Sequence, residues 1–173
     1  MSVQSGGYQR SAAGMVGSML VLLLVVVVFV VLRDLNRVGP EAPADSVDYR
    51  QSAEFAEESG FEVSTPDRLP NGWRATSVEF APEPLHWHLG LLTEDAEYVG
   101  LEQAKAPVRS MVMKYVDEQT TKTADVTIDG KRWTSWGDGQ GDVALARRDG
   151  ALTTLVVGPV EQEVLVDYVK SLT

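Results

Sequence analysis

Two hydrophobic patterns divide the chain. Between Ala12 and Leu32 no residue carries a charge, and Val21 to Leu32 are all Val, Leu or Phe. Beyond this block, apolar residues recur at the spacing of helices and strands among polar and charged ones. The first pattern predicts an element that is apolar on every side, and the second predicts a folded domain in which each element buries one face.

The uncharged block is long enough to cross a bilayer. At about 1.5 Å per residue, a helix from Ala12 to Leu32 covers about 30 Å of hydrocarbon. Lipid forces backbone groups to pair within the segment, so a Val-rich sequence becomes helical there despite its low helix propensity in water. A cleaved signal peptide is the alternative, because Ala42 and Ala44 form a small-x-small pattern, but its apolar core is usually about 7 to 15 residues. We therefore expect an uncleaved signal-anchor that spans the membrane once and has the lipid bilayer as its partner.

Small residues at the start of this span have the spacing that lets two membrane helices approach closely. Ala13 with Gly17, and Gly14 with Ser18, form small-x-x-x-small pairs. Self-association of the span through these four residues is therefore a hypothesis.

The chain after the span predicts a linker and one domain. Gly39, Pro40 and Pro43 are typical of a short extended spacer. We assign residues 1–11 to an N-terminal tail, 12–32 to the transmembrane helix, 33–46 to the linker and 47–173 to a globular domain.

Capping and turn signals predict the elements of this domain. Ser46 is expected to cap a first helix that ends before Gly60, Pro107 opens a second helix, and Pro159 begins a third. Alternating apolar residues predict strands at Trp73–Phe80, Leu85–Thr93, Tyr98–Ala104, Val126–Ile128, Arg132–Trp136, Val143–Arg148 and Ala151–Val157.

Two Asp-Gly pairs decide how these strands are joined. Asp129–Gly130 and Asp149–Gly150 predict two-residue hairpin turns, since Gly accepts the positive φ that such turns require. Tight hairpins make neighbouring strands antiparallel, and the apolar helix stripes need a sheet face to cover them. The predicted fold class is α+β, with a single N-terminal transmembrane helix followed by an antiparallel sheet of about seven strands packed with about three helices.

The charge distribution narrows the possible partners. The net charge is -10, and the basic and acidic residues before Ser46 cancel, so the excess acid lies in the domain. A negative domain repels phosphate backbones and anionic headgroups, so no nucleic-acid partner is expected. The same charge is compatible with a cationic partner. The absence of cysteine excludes disulfides and thiol nucleophiles.

Two histidines form the first candidate site. His86 and His88 flank Trp87 in a predicted strand, so both imidazoles point to one face. They would supply half of a tetrahedral zinc site, with Glu97 or Glu102 of the adjoining strand as further ligands. A solvated strand face with Trp87 turned inward is favoured instead, because two ligands alone specify little. We expect no metal and no other cofactor.

A glycine-rich loop and the tryptophans give further candidates. Asp138, Gln140 and Asp142 suggest calcium ligands, but the register of an EF-hand is not kept, so a flexible loop is the better interpretation. Trp87 and Trp136 are candidates for ligand contact, because Trp is enriched at binding surfaces as well as in cores.

Catalytic motifs are missing from the sequence. It contains no nucleophile elbow, no phosphate loop and no His-Glu-x-x-His, and two histidines leave few general bases. The sequence therefore predicts a noncatalytic binding or interaction module with a protein or an envelope component as ligand. The alternatives are a hydrolase that uses carboxylates such as Glu97 and Glu102, and an accessory subunit of a membrane protein complex.

Several segments resemble one known family. Tyr8-Gln9-Arg10-Ser11, the small-residue entry into the Val-rich span, Leu69-Pro70-Asn71-Gly72-Trp73 and Gly100-Leu101-Glu102-Gln103 are similar to the actinobacterial family known as domain of unknown function 4245. The resemblance implies a membrane-tethered protein of the cell envelope and supplies no site residues. The Lys and Arg counts on either side of the span mildly favour a cytoplasmic domain, but such counts decide little for long domains. The resemblance favours an extracytoplasmic domain on the plasma membrane, which is the placement we expect.

Overall fold

The structure is a computed structural model that describes residues 46–137, 139 and 141–172, together with Met19 and Leu22. The chain divides after Ala44 into two units, and the second of them, Asp45–Thr173, contains every element described below. Within the part of the chain that the structure describes, no helix has both the length and the apolar composition needed to cross a membrane. The predicted span and its association residues Ala13, Gly14, Gly17 and Ser18 lie outside the described residues, apart from Met19 and Leu22.

The described residues form three helices and seven strands in the predicted order. The helices are α1 (Arg50–Glu58), α2 (Val108–Tyr115) and α3 (Gln162–Lys170). The strands are β1 (Arg74–Pro82), β2 (Leu85–Leu92), β3 (Tyr98–Ala104), β4 (Thr121–Ile128), β5 (Lys131–Gly137), β6 (Val143–Asp149) and β7 (Leu152–Gly158).

All seven strands join one antiparallel sheet in the order β1-β2-β3-β7-β6-β5-β4. The sheet consists of two meanders, β1 to β3 and β4 to β7, which α2 connects along the chain. The pairing of β3 with β7 joins the two meanders at the centre of the sheet. The predicted α+β fold with a seven-stranded antiparallel sheet and three helices is thereby confirmed.

The helices cover the two faces of the sheet unequally. On one face α1 packs on β1, and α3 packs on β4, β6 and β7, over a core that includes Trp87, Leu101 and Trp133. On the other face α2 packs on β6 and β7 over small and aliphatic side chains such as Ala146 and Leu155. Among the described residues no helix packs broadly on β1 to β3 on this second face, where His86 and His88 of β2 and Glu102 of β3 lie.

Two of the predicted helix starts are wrong. α1 begins at Arg50, not after a Ser46 cap, because the backbone N–H of Val47 donates to the carbonyl of Ala75 at 3.0 Å and holds this segment against β1. α3 begins at Gln162 rather than in a turn opened by Pro159, since Glu161 is still extended.

One hairpin turn differs from the prediction by one residue. Asp129 and Gly130 form the predicted turn between β4 and β5, and both have positive φ, 49° and 72°. Between β6 and β7, however, Asp149 pairs with Leu152, so the turn residues are Gly150 and Ala151. A two-residue hairpin turn with Gly at its first central position is a type II′ turn, which needs positive φ at that position only.

The turn at Gly150 gives the first testable prediction. Its φ is +57° and a Cβ added there meets no atom within 4 Å, so Gly150→Ala introduces backbone strain without a clash. We expect the free energy of unfolding to fall by about 1 to 2 kcal/mol, the cost of the left-handed conformation for an L-residue. Gly137→Ala is the matched control, because Gly137 is not in that conformation and its added Cβ makes contacts of 3.6 and 3.8 Å. Urea unfolding of both variants, followed by tryptophan fluorescence, measures the difference, and equal stability of the two would contradict the assigned turn.

Candidate functional site

On the second face of the sheet, α2 covers β6 and β7 but leaves β2 and β3 open. These two open strands carry a cluster of polar side chains. His86 and His88 of β2 lie on this face, as period-two alternation predicts, while Trp87 between them points to the opposite core. Glu102 of β3 is the direct cross-strand partner of His88. We call the group formed by His86, His88 and Glu102 the histidine-glutamate cluster.

The Glu102 carboxylate accepts a hydrogen bond at each oxygen. His88 Nδ1 donates to Oε1 at 2.6 Å, and His86 Nε2 donates to Oε2 at 2.8 Å. The Glu102 side chain is only 3% exposed, whereas the two imidazoles are 21% and 20% exposed. A buried carboxylate is tolerated when charge-assisted hydrogen bonds replace its water, and the two imidazoles supply them.

Residues from other elements contact the cluster. Ser77 of β1 places its Oγ 2.9 Å from His88 Nε2, on the far side of the ring from Glu102. The Tyr115 hydroxyl, at the end of α2, lies 2.9 Å from His86 Nε2 and accepts a hydrogen bond from Lys114 Nζ at 2.8 Å. The rings of His86 and Tyr115 stack, with an interplanar angle of 10°.

Tyr98 borders the cluster on its other side. Its ring lies over Gly90 and Gly100, which face each other across β2 and β3, because a Cβ at either glycine would come within 3.1 to 3.3 Å of ring or hydroxyl atoms. A side chain at either position would therefore displace the Tyr98 ring. The cluster is therefore flanked by two tyrosines, Tyr98 and Tyr115, both of which are partly exposed.

The charge of Glu102 and burial together shift pKa values on this face. Its hydrogen bond raises the pKa of His88 above the usual value of 6.5, against the opposing effect of burial, and its charge and that of Glu79 act in the same direction. Burial, helped by the charge of Glu102, raises the pKa of Tyr98. Burial also raises the pKa of Tyr115, although its hydrogen bond with Lys114 opposes the shift. Both phenols thus remain protonated and able to donate at neutral pH.

The zinc hypothesis does not fit this geometry. Glu102 joins the two histidines as predicted, but Glu97 lies in the exposed loop before β3 and takes no part. The nitrogen and oxygen atoms that face each other lie 2.8 and 2.6 Å apart, which is hydrogen-bond contact and closer than two ligands stand around one zinc ion. Among the described residues, no group of three or more acidic and histidine side chains is arranged to hold a metal ion.

The other predicted site residues lie apart from the cluster. Trp87 is completely buried in the core, so it is not available to a ligand in this conformation. Trp136 is half-buried, its Nε1 donates to Thr134 Oγ1 at 2.9 Å, and the Arg109 guanidinium lies over its ring. Asp138 and Gln140 of the proposed calcium loop lie outside the described residues.

A depression lies on the opposite face of the sheet. It has a volume of about 890 Å³ and is lined by residues such as Phe61, Ser64 and Gln103. The Gln103 amide at its floor is already satisfied, since its oxygen accepts from the Ser64 N–H at 2.7 Å and its nitrogen donates to Thr154 Oγ1 at 3.1 Å. The histidine-glutamate cluster, which keeps partly exposed imidazoles, is the better candidate site.

Ser77, Tyr98 and Tyr115 were not identified from the sequence. Ser77 had a signal, because the short turn between β1 and β2 sets a register in which it pairs with Gly90, next to His88 on the same face. Tyr98 had a weaker signal, because Gly90 and Gly100 face each other on β2 and β3 and leave room for its ring. Tyr115 had none, since its place depends on how α2 packs across the sheet.

The raised pKa of His88 gives the second testable prediction. We expect an NMR titration to give His88 a pKa above 6.5, and Glu102→Gln to lower it, because the neutral amide removes the charge that favours the imidazolium. Since the pKa is raised in the folded state, the stabilisation is complete below about pH 6.5 and is lost as the pH rises through the folded-state pKa. The wild type should therefore exceed His88→Gln in unfolding free energy by more at pH 6 than at pH 8. An unshifted titration of His88 would show that the hydrogen bond to Glu102 is absent in solution.

Comparison with known proteins identifies a family. No curated protein matches the chain, and no solved structure does. A family model described as "Protein of unknown function (DUF4245)" matches residues 8–172, which include the region before the described domain as well as the domain itself. Since this match covers nearly the whole chain, the protein belongs to the DUF4245 family.

Proposed function

We propose that the protein is a membrane-anchored binding module of the cell envelope, with its domain outside the cytoplasm and the tyrosine-flanked histidine-glutamate cluster as its binding surface. The observation that carries the proposal is the buried carboxylate of Glu102 beneath two imidazoles that solvent still reaches. The uncharged block Ala12 to Leu32 and the family resemblance support the anchor and its orientation.

The cluster has the composition of a recognition surface. Centrally placed polar groups fix the orientation of a ligand, while aromatic rings at the rim supply contact area at a low cost in conformational entropy. Here His86 and His88 are the polar centre, and Tyr98 and Tyr115 are the rim. The position of Glu102 in a central part of the sheet, where an apolar residue would normally pack, indicates that the polar group is kept for a purpose other than packing.

The carboxylate hydrolase is less well supported by the geometry. A glycosidase-type mechanism requires two carboxyl groups on either side of the bond that is cleaved. Glu97 and Glu102 are not brought together, because Glu97 precedes β3 whereas Glu102 lies near the middle of that strand and has both oxygens occupied. A binding module therefore accounts for this geometry better than a two-carboxylate hydrolase does.

The orientation of the domain gives the third prediction. The chain has no cysteine, so a single Asp95→Cys in the exposed β2–β3 loop provides the only thiol. In intact cells a membrane-impermeant maleimide should label this variant as strongly as it does after lysis. The unmodified chain is the matched control and should not be labelled. Labelling only after lysis would place the domain in the cytoplasm, and labelled protein found in the soluble fraction without detergent would contradict the anchor.

The binding surface gives the fourth prediction. A photocrosslinking amino acid at Tyr98, which is 42% exposed beside the cluster, should form adducts with envelope components in intact cells. Phe55 is the matched control, because it is an aromatic residue 59% exposed on α1, which packs on the opposite face of the sheet. Adducts at Tyr98 should disappear when Glu102→Gln is added. Equal adducts at Tyr98 and Phe55, or none at Tyr98, would refute binding through this face.

A further inference from the structure

Two side chains contact the two nitrogen atoms of the His88 imidazole from opposite sides. The Ser77 hydroxyl oxygen lies 2.9 Å from His88 Nε2, and the Glu102 carboxylate lies 2.6 Å from His88 Nδ1. A hydroxyl on one nitrogen of a histidine and a carboxylate on the other is the arrangement by which serine nucleophiles are activated in several unrelated folds. The residues come from three neighbouring strands, β1, β2 and β3, so the sheet itself fixes their spacing.

The carboxylate fixes the tautomer that such activation needs. Because Glu102 accepts from Nδ1–H, neutral His88 has its lone pair on Nε2, where it accepts the Ser77 proton. Glu102 cannot swing away easily, since its second oxygen is held by His86 at 2.8 Å. His86 therefore acts as a positioning residue for the carboxylate and does not touch Ser77.

The backbone around Ser77 is shaped to bring its hydroxyl to the ring. An added Cβ at Gly90 would lie only 2.3 Å from Ser77 Oγ and 3.3 Å from His88 Nε2, so the absence of a side chain at Gly90 opens the space in which the two atoms meet. The pairing of β1 with β2 also shifts register between Ala75 and Ser77. Irregularities of this kind re-aim side chains and are common beside functional sites.

The hydroxyl is also within reach of a substrate. Ser77 is half-buried on β1, an edge strand of the sheet, and the imidazole of His88 beside it is 20% exposed. A small molecule can therefore approach from the open face without displacing a helix, since α2 packs on β6 and β7.

We propose that Ser77 is a nucleophile that reacts with acyl esters, with His88 as its general base and Glu102 as the group that orients the base. Ser77 Oγ attacks the ester carbonyl carbon while its proton passes to His88 Nε2. The C–O bond to the alcohol breaks, and the alcohol leaves with that proton, so Ser77 becomes an acyl ester. Water, deprotonated by His88, then cleaves this ester, which releases a carboxylic acid and restores Ser77. This activity goes beyond binding and does not depend on where the anchor places the domain.

The first test uses the full chain in detergent and a biotinylated fluorophosphonate. The Ser77 oxygen should displace fluoride and form a stable phosphonate ester, located by mass spectrometry of the digested protein. Labelling should increase with pH through the pKa of His88, because only the neutral ring accepts the proton. Ser77→Ala and His88→Gln should lose the adduct. Thr76→Ala is the matched control and should keep it, since the neighbouring Thr76 hydroxyl donates to the Gly90 carbonyl and not to the histidine.

A second test measures the same activation without relying on an inactive variant. Ser77→Cys and Thr76→Cys each place a single thiol in the cysteine-free chain. An imidazole in contact with a thiol can take its proton, and the resulting imidazolium stabilises the thiolate. The pH midpoint of alkylation by iodoacetamide should therefore fall clearly below about 8.5 for Ser77→Cys and stay near it for Thr76→Cys. Adding His88→Gln to Ser77→Cys should return its midpoint to the control value. Absence of a Ser77 adduct on the folded wild type, or equal midpoints for the two thiols, would overturn the proposal.

Discussion

The burial of one carboxylate constrains much of this sheet. Glu102 lies in a strand whose neighbours on both sides are hydrogen-bonded, and its charge is kept from water except through two imidazoles. Removing those donors would leave a buried charge without partners, which costs several kcal/mol. A slip of one residue between β2 and β3 would have the same effect, since it would turn the histidines toward the apolar core and leave Glu102 facing aliphatic side chains. The cluster and the strand register therefore stabilise each other.

The unequal helix cover follows from the side chains that each half of the sheet presents. On β6 and β7, Ala144, Ala146 and Leu155 form an apolar surface with few protruding side chains, on which α2 can pack closely. On β2 and β3 the same face carries imidazoles and a carboxylate, which a helix could bury only with a hydrogen-bond partner for every polar atom. Tyr115 at the end of α2 is the one contact of this kind among the described residues, and it reaches only the edge of the cluster. The polar half of the face consequently remains accessible.

Much of the architecture was predictable because it is encoded locally. Apolar alternation and turn residues predicted the order of all ten elements, and the strand Tyr98–Ala104 matches residue for residue. The errors lie where distant contacts decide, as at Val47, which pairs with Ala75 instead of entering a helix. The site was predictable to the same extent: alternation placed His86 and His88 on one face, and the adjoining strand supplied Glu102. Ser77 follows from the register that the β1–β2 turn sets, whereas Tyr115 required the packing of α2 across the sheet, which no local pattern encodes.

The orientation of the polar atoms distinguishes a functional cluster from one that only holds strands together. Stabilising Glu102 requires one donor for each oxygen, and His88 Nδ1 with His86 Nε2 already meets that requirement. The outer nitrogen of His88 adds nothing to the carboxylate, yet it points at a hydroxyl in a space that Gly90 leaves open. A side chain at that position would have filled the gap and shielded the cluster from water. The hydrogen bonds from His86 and His88 to Glu102 therefore serve the fold. His88 Nε2, which faces Ser77 and the solvent, is the part available for binding and chemistry.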